Sequence, residues 1–340
     1  MTTTKTSLEK PHFPVMLKEV VKICDAKKGG NFLDCTFGGG SYSNELLKFP
    51  KTKIIALDRD KFVKARAFKI KEKYSERFKF YNKKFSDLDK VINLKSKIDA
   101  IIFDLGMSSF QIMDMSRGFS FKSKEKLDMN MGLSSISAEE IINNYSENNL
   151  KLIIKIFGEE REASKIVKNI IKARKIKKIS KVSDLVEIIE RSKKKDYSKK
   201  INVCTKTFQA LRIFVNKEIT ELIEGIIKAS KLLNPGGKII IISFHSIEDK
   251  IIKFYFSNYS KNKSKPSRYL PEAEEQNSLT LFEDFKHKFI KPSENEVLIN
   301  PPSRSAKLRY IVRNKNKFKE PEDFKNKFKK YTDLERLNDK

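Results

Sequence analysis

The sequence has few cysteines and no long apolar segment. The cysteines Cys24, Cys35 and Cys204 are odd in number and lack C-x-x-C spacing, which argues against a disulfide framework and against a zinc site. We therefore expect buried free thiols and no metal. No apolar run approaches the ~20 residues that a membrane span needs, and Met1–Lys5 begins no apolar segment of the signal-peptide type. The sequence predicts a soluble, cytoplasmic protein with no membrane partner.

Acidic residues are also few relative to basic ones. The chain of 340 residues has 44 Asp and Glu against 72 Lys and Arg, a formal net charge of +28. A surface this positive attracts polyanions and releases their counterions, so nucleic acid is the first partner to consider. Lysine, isoleucine and asparagine are all abundant, however, as in genomes of biased base composition, and such lysines would only solvate the surface. The length allows one large domain with an insertion, or two domains.

The segment Phe32–Ser43 carries the main site signal. It predicts a short apolar strand, a glycine-rich turn and a helix beginning near Asn44, which is how a nucleotide-like ligand is usually bound. Asp58 ends a second apolar strand roughly 20 residues further on, where a carboxylate of a βαβ unit accepts hydrogen bonds from ribose hydroxyls. The pair predicts an adenosine-containing cofactor. The strict G-x-G-x-x-G pattern is absent, and a dinucleotide site or a turn without ligand stays open at this point.

Two further strands bring candidate residues to the same edge of the sheet. Phe85 follows the predicted strand Phe78–Asn82, where the edge of an adenine would lie, although a phenylalanine there also suits a core. The apolar strand Ile98–Asp104 delivers Asp104 at its carboxyl end, and ligands of doubly wound folds bind off these strand ends. This carboxylate is therefore placed for chemistry or for holding the cofactor.

The order of elements near the end of the core distinguishes between cofactors. A long helix is predicted from Thr207 to Leu233, followed by a turn at Asn234–Gly237 and a buried strand over Lys238–Phe244. A helix, a Leu-Leu-x-Pro-Gly-Gly turn and an apolar strand are typical of S-adenosylmethionine (AdoMet)-dependent methyltransferases and not of a dinucleotide-binding half. His245 and Ser246 follow this strand, also at the ligand edge.

The remaining segments are more polar. From Ser137 to about Lys200 the pattern is helical without strand signals, which predicts an α-helical insertion between strands of a parallel sheet. Residues 257–291 are interpreted as a surface loop, and the tail after Arg313 as a lysine-rich, mobile segment with short helices. The insertion is dense in basic residues, which predicts a phosphate-contacting surface or an ordinary solvated helix face. These residues are Lys165, Lys168, Lys172, Arg174, Lys175, Lys177, Lys178, Lys181, Arg191, Lys193, Lys194, Lys195, Lys199 and Lys200.

Nine ordered motifs together carry a family resemblance. They are His12–Leu17, Asp34–Gly38, Asp58–Asp60, Asp104–Ser109, Arg117–Phe121, Leu127–Met129, Phe157–Arg161, Thr207–Arg212 and Ser243–Ser246. With them the chain resembles the ribosomal RNA small subunit methyltransferase H family, also called MraW, up to about Arg313. The resemblance implies AdoMet-dependent methylation of the exocyclic N4 amine of a cytidine in the decoding region of 16S rRNA, within the 30S subunit.

The resemblance also implies an architecture and a cofactor site. We expect an α/β fold, a Rossmann-like class I methyltransferase sheet over residues 1–110 and 205–313, with an inserted helical substrate domain over 111–204 and a basic tail over 314–340. The family's cofactor positions fall on Gly40, Ser41, Tyr42, Asp58, Phe85, Asp104 and Gln111. The family's common Gly-Gly-His is replaced here by Gly40–Tyr42, so that a tyrosine stands at the histidine position.

The expected chemistry needs a hydrogen-bond acceptor beside the amine. The N4 lone pair of cytosine is delocalised into the ring, so the site must align it with the sulfonium methyl group and accept an N–H hydrogen bond. Asp104 and His245 are the candidate catalytic residues. The candidates for contact with the extruded base are Arg117, Phe119, Phe121 and Ser246.

Two other classes of function remain open on the sequence. A DNA amino-methyltransferase is one, although no Asn/Asp-Pro-Pro-Tyr motif follows the strand that ends at Asp104. A non-catalytic rRNA-binding assembly factor with a methyltransferase fold is the other, although Asp58, Asp104 and Gln111 are all present. A monomer and a homodimer are equally compatible with the sequence.

Overall fold

The computed structural model describes residues 14–92, 98–193, 202–261, 279–286 and 288–337. Its centre is a six-stranded sheet in the order β3-β2-β1-β4-β5-β6. The strands are β1 (Gly30–Asp34), β2 (Thr52–Leu57), β3 (Phe78–Tyr81), β4 (Ile98–Asp104), β5 (Leu233–Ser243) and β6 (Lys307–Val312). The first five pair in parallel and β6 is antiparallel to β5. The α/β fold with a Rossmann-like sheet is thus confirmed.

Helices cover both faces of the sheet. In chain order they are α1 (Leu17–Cys24), α2 (Ser41–Leu47), α3 (Lys64–Tyr74), α4 (Leu88–Val91), α5 (Ser109–Met113), α6 (Ala138–Asn144), α7 (Glu147–Phe157), α8 (Ala163–Ile176), α9 (Val182–Ser192), α10 (Thr205–Asn216), α11 (Glu218–Leu232), α12 (Ser246–Asn258), α13 (Glu294–Ile299) and α14 (Glu322–Leu334). Among the described residues, no helix is long and apolar enough to cross a membrane.

The central strands are buried on both faces because helices lie on each side. Successive residues of β4 alternate between two apolar clusters: Ile101 belongs to one and Ile102 to the other, and neither is exposed. Parallel sheets covered on both faces have such near-continuous apolar strands. Because β1, β2 and β4 are parallel, their carboxyl ends meet at one edge of the sheet, and the polar residues at these ends lie close together.

Two predicted helix boundaries differ in the structure. Helix α2 begins at Ser41, not near Asn44, because Gly40 has a φ of 76° and ends the turn earlier. The long helix predicted from Thr207 to Leu233 is two helices, α10 and α11, because Lys217 between them lies in the left-handed region with a φ of 50°. This break directs α11 back along the sheet and leaves its first residue, Glu218, in the wall of the site.

The C-terminal part is more structured than predicted. In the segment expected to be a surface loop, Leu281, Phe282 and Phe285 are buried, while residues 262–278 and 287 lie outside the described residues. The tail expected to be mobile contains α14. Buried aromatic residues at helical spacing, Phe324 and Phe328, pack α14 onto the apolar core.

The basic residues of the insertion are not all available to a phosphate. Arg174 donates to the carbonyl oxygens of Ile142 and Tyr145, and Lys193 pairs with Glu160 at 2.7 Å. These three contacts connect segments of the predicted insertion to one another. Lys194, Lys195, Lys199 and Lys200 lie outside the described residues.

Candidate active site

An open cleft lies at the carboxyl edge of the sheet, where β1, β2 and β4 end. It encloses about 1370 Å³ including its mouth. The predicted cofactor residues that line it are Ser41, Tyr42, Asp58, Phe85, Asp104 and Gln111. Gly40 does not line the cleft. Its role is in the turn, where a Cβ atom at this position would lie 2.6 Å from the ring of Phe37.

Asp58 ties the ends of β1 and β2 together. Its Oδ2 accepts a hydrogen bond of 2.7 Å from the backbone N–H of Gly38, and its Oδ1 accepts one of 2.8 Å from Asp60. Burial raises the pKa of Asp58 to about 6, although the two backbone donors act in the opposite direction. The carboxylate thus holds the glycine turn in place and also faces the cleft.

Asp104 presents a free acceptor to the cleft. The hydroxyl oxygen of Tyr42 lies 2.5 Å from the carbonyl oxygen of Val15 and 3.1 Å from Asp104 Oδ2. Asp104 Oδ1 is buried without a hydrogen-bond partner among the described residues. Burial raises the pKa of Asp104 to about 7. An unsatisfied buried carboxylate oxygen in a cleft wall is suited to a ligand that brings an N–H or O–H donor.

Phe85 lines the cleft and also packs on the core. Its ring meets Phe103 edge-on at 5.4 Å between centroids, and a Cβ atom on Gly225 of α11 would lie 2.6 Å from it. Beside it Glu221 accepts a hydrogen bond of 3.0 Å from the Ser86 hydroxyl. Phe85 therefore lies both in the wall of the cleft and against the apolar core. Glu221 was not found from the sequence, because a glutamate within an amphipathic helix gives no signal of its own.

The structure places Arg117 beside Asp60. It is buried, and its guanidinium forms an ion pair with Asp60 and donates to the carbonyl oxygen of Asn130 at 2.8 Å. Gln111 donates to the same Asp60 carboxylate at 2.9 Å. In this structure Asp60 holds the guanidinium beneath the surface, and a contact of Arg117 with the extruded base stays a prediction.

A second pocket adjoins the cleft and is mainly aromatic. Phe119, Phe121, Phe208 and Phe244 line it, and Phe244 also lines the cleft. Its remaining lining residues are Met107, Met129, Thr205, Gln209, Arg212 and His245. Two predicted base-contact residues, Phe119 and Phe121, are therefore brought together here. Phe208 and Arg212 belong to a motif quoted above, and only their packing shows that they reach the same pocket.

His245 caps α12 at the wall of this pocket. Its Nδ1 accepts a hydrogen bond of 3.4 Å from the backbone N–H of Glu248, and its Nε2 lies 3.1 Å from Glu248 Oε1. Burial alone would raise the pKa of Glu248, but His245 and Arg212 hold it below its usual range. Ser246 faces away from this contact, since its hydroxyl donates to Glu159.

Glu218, His245 and Glu248 form a cluster of possible metal ligands. Their ligand atoms lie within 4.8 Å of one another. Arg212 forms two hydrogen bonds with the Glu218 carboxylate, of 2.8 and 2.9 Å. The guanidinium therefore neutralises the Glu218 carboxylate.

Comparison with known proteins places the chain in a family. The model of the MraW methylase family matches residues 9–314. Ribosomal RNA small subunit methyltransferase H of Ehrlichia canis is 39% identical over 308 residues, which cover 89% of this chain and 99% of that protein. The protein of the same name from Rickettsia typhi is 39% identical over 299 residues, covering 88% and 97%. The chain therefore belongs to the MraW methylase family of methyltransferases.

Proposed function

We propose that the protein transfers the methyl group of AdoMet to the N4 amine of a cytidine in the decoding region of 16S rRNA, within the small ribosomal subunit. The observation that carries the proposal is the pair of adjoining pockets. One is a cleft whose wall contains a carboxylate oxygen without a partner among the described residues, and the other is a smaller pocket with four phenylalanines that shares Met107 and Phe244 with it. The relatives of known name are rRNA methyltransferases of the small subunit, and a cytoplasmic location follows from that substrate.

The residues of the cleft suit AdoMet. Asp104 Oδ1 is placed to accept from the ammonium group of its amino-acid end, and Asp58 lies at the strand end where ribose hydroxyls are usually bound. Phe85 provides an apolar wall for the adenine. Bound there, the cofactor supplies an electrophilic methyl group on its sulfonium. The Tyr42 hydroxyl oxygen lies 3.1 Å from Asp104 Oδ2. Tyr42 stands in the position where the family has histidine.

The aromatic pocket suits an extruded pyrimidine. Phe119 and Phe121 offer flat apolar walls, and Phe244 separates this pocket from the cleft. Unstacking a base costs a few kcal/mol, less in an rRNA loop than in a duplex, and stacking on aromatic rings offsets this cost. A base in this pocket would present its exocyclic amine toward Met107, on the side of the cofactor cleft.

The chain's own contribution to the reaction is mainly alignment. Fixing the two reactants can supply on the order of 7–11 kcal/mol of the barrier. As the bond from N4 to the methyl carbon forms, the bond from that carbon to the sulfonium sulfur would break, S-adenosylhomocysteine would leave, and the amine would lose one proton. Asp104 and His245 are the candidate acceptors, and their contacts differ: Asp104 Oδ1 has no partner among the described residues, whereas Nδ1 of His245 caps α12 and its Nε2 lies 3.1 Å from Glu248 Oε1.

The test is methyl transfer from radiolabelled AdoMet to small subunits that lack the modification. Naked 16S rRNA, large subunits and DNA serve as parallel substrates, and the labelled nucleoside is identified after digestion. We expect N4-methylcytidine from the small subunits. Label in DNA would favour a DNA amino-methyltransferase. Measurable AdoMet binding without transfer to any substrate would favour an assembly factor.

A further inference from the structure

A basic, aromatic surface borders the mouth of the cleft, outside both pockets. It begins with the short 3-10 turn Lys61–Val63, which follows the end of β2, and continues along α3. Val63 is buried and lines the cleft, whereas its neighbour Phe62 is 63% exposed. This surface therefore starts one residue away from the wall of the cofactor cleft.

The surface combines exposed rings with a high density of positive charge. Phe68, on α3, is 61% exposed. Between residues 61 and 73 there is a single acid, Glu72. The basic residues of the same stretch are Lys61, Lys64, Arg66, Lys69, Lys71 and Lys73. We call this turn and helix, together with Phe110 of α5, the α3 patch.

Two rings of the α3 patch, Phe62 and Phe110, lie beside cationic groups. The guanidinium carbon of Arg117 lies 5.2 Å from the centroid of the Phe62 ring, and the guanidinium carbon of Arg66 lies 3.6 Å from that of Phe110. Arg117 is itself fixed by its ion pair with Asp60. The Phe62 ring is therefore supported from the protein side by a buried cation, and most of its surface remains open to solvent.

We propose that the α3 patch binds a single-stranded RNA segment that flanks the target cytidine. Phe62 stacks on an unpaired base, and Lys64 and Lys71 contact phosphates. An exposed ring beside basic residues is the general arrangement by which proteins hold single strands, because every base has a face to stack and every nucleotide a charge. The inference rests on the proposed function, since the flanking nucleotides of an extruded base must cross the mouth of the cleft.

Charge favours RNA over protein as the occupant. Lys64, Phe68 and Lys71 follow one another at spacings of four and three residues, which places them on one side of α3. A row of lysines that flanks an aromatic ring would repel the basic proteins of a ribosome and attract its phosphates. The surface thus matches a polyanion with exposed bases better than a polypeptide.

The test measures RNA binding directly, apart from catalysis. A fluorescein-labelled single-stranded oligoribonucleotide with the unmodified target region is titrated with the full chain, and fluorescence anisotropy gives Kd. Phe62→Ala should weaken binding about tenfold, the usual order for loss of one stacking platform. Lys64→Gln combined with Lys71→Gln should weaken it and lower its salt dependence. AdoMet affinity should not change.

Two control variants match these changes elsewhere on the chain. Leu298→Ala removes an apolar side chain that is 78% exposed on α13, outside the basic insertion. Lys315→Gln combined with Lys317→Gln removes the same two charges from the exposed C-terminal segment. Neither control should alter RNA affinity as strongly as the variants of the α3 patch.

Different results separate this inference from the proposed function. If Phe62→Ala leaves affinity for the RNA unchanged but weakens binding to whole small subunits, the patch meets a protein and the inference is overturned. Equal losses in the patch and control variants would also overturn it. If the enzyme methylates no rRNA while RNA affinity still depends on Phe62, the proposed function fails and the assignment of the patch stands.

Discussion

At the residue scale, Asp104 has a carboxylate oxygen, Oδ1, that no group in the described part of the chain satisfies. We expect Asp104→Asn to weaken AdoMet binding roughly ten- to a hundredfold, because a charge-assisted hydrogen bond contributes about 1.5–3 kcal/mol. Calorimetry on the protein alone gives this Kd. At saturating AdoMet the variant should keep most of its kcat. An unchanged Kd with a large fall in kcat would instead make Asp104 the acceptor of the amine proton.

The pH dependence of AdoMet affinity gives a second readout for the same residue. Burial raises the pKa of Asp104 to about 7, so its carboxylate is only partly ionised at neutral pH. The ionised form accepts from an ammonium group, and affinity should therefore rise as the pH increases from 6 to 8. Asp104→Asn should remove most of this rise. A wild-type affinity independent of pH over this range would contradict the assigned contact.

At the element scale, the start of α11 depends on a residue far away in the sequence. Glu335 is buried at the end of α14, and its carboxylate accepts from the backbone N–H groups of Ile219 and Thr220, at 2.9 and 2.7 Å. Lys217, the residue before the helix, provides no side-chain cap. The segment after the family-model match, which ends at residue 314, thus supplies the cap of a helix whose first residue lines the cleft.

We expect Glu335→Ala to destabilise the fold by about 1–3 kcal/mol, since it leaves two buried donors of α11 without their acceptor. Urea unfolding of both proteins measures this difference. Asp333→Ala on the exposed side of α14 is the matched control and should change stability by less than about 0.5 kcal/mol. Equal stability of Glu335→Ala and the parent chain would show that the cap is not needed.

The same elements show which parts of the fold can be predicted from the sequence. The strand Ile98–Asp104 was predicted with its exact bounds, because a continuous apolar run between polar residues is a local signal. The break at Lys217 was missed since lysine suits a helix and the apolar period continues past it. The contact of Glu335 with the start of α11 joins residues more than 100 positions apart, so the local sequence does not show it. In the tail, the spacing of Phe324, Phe328 and Tyr331 was a helical signal that the many lysines obscured.

Predictions for the site divide in the same way. Asp58 and Asp104 were placed at the cleft because strand ends of a parallel sheet meet at one edge. Arg117 was predicted to contact substrate, but Asp60 holds it in a buried ion pair. The sequence shows that an arginine is present in a loop and does not show which carboxylate lies next to it after folding.

At the scale of the whole molecule, the carboxyl edge of the sheet concentrates buried acids. Asp34 and Asp104 end β1 and β4, and Asp58 directly follows β2 between them in the chain. Burial raises the pKa of Asp34, Asp58 and Asp104 to about 6, 6 and 7. Neighbouring carboxylates add to the shifts, since Asp34 raises the pKa of Asp104. The arrangement that creates a polar ligand site therefore opposes the stability of the chain without ligand once these groups ionise.

Asp34 allows this cost to be measured apart from ligand binding. It is fully buried, accepts from the Ser43 hydroxyl at 2.7 Å, and does not line the cleft. Because its folded pKa lies above the usual value of 3.8, the native state holds the proton more tightly than the unfolded state. The stability that it contributes is present below about pH 4 and is lost as the pH rises through about 6, by on the order of 3 kcal/mol.

Asp34→Asn should therefore flatten the pH dependence of stability between pH 4 and pH 7.5. Urea unfolding of the ligand-free chain at several pH values gives the slope, and the difference between variant and parent cancels the contributions of other groups. The amide keeps an acceptor for the backbone N–H of Thr36 and can donate to Ser43, so the fold is retained. Asp333→Asn, at an exposed position, should leave the slope unchanged. Equal slopes for Asp34→Asn and the parent chain would mean that ionised Asp34 is stabilised by its protein donors as well as by water, and that the strand ends carry no such cost.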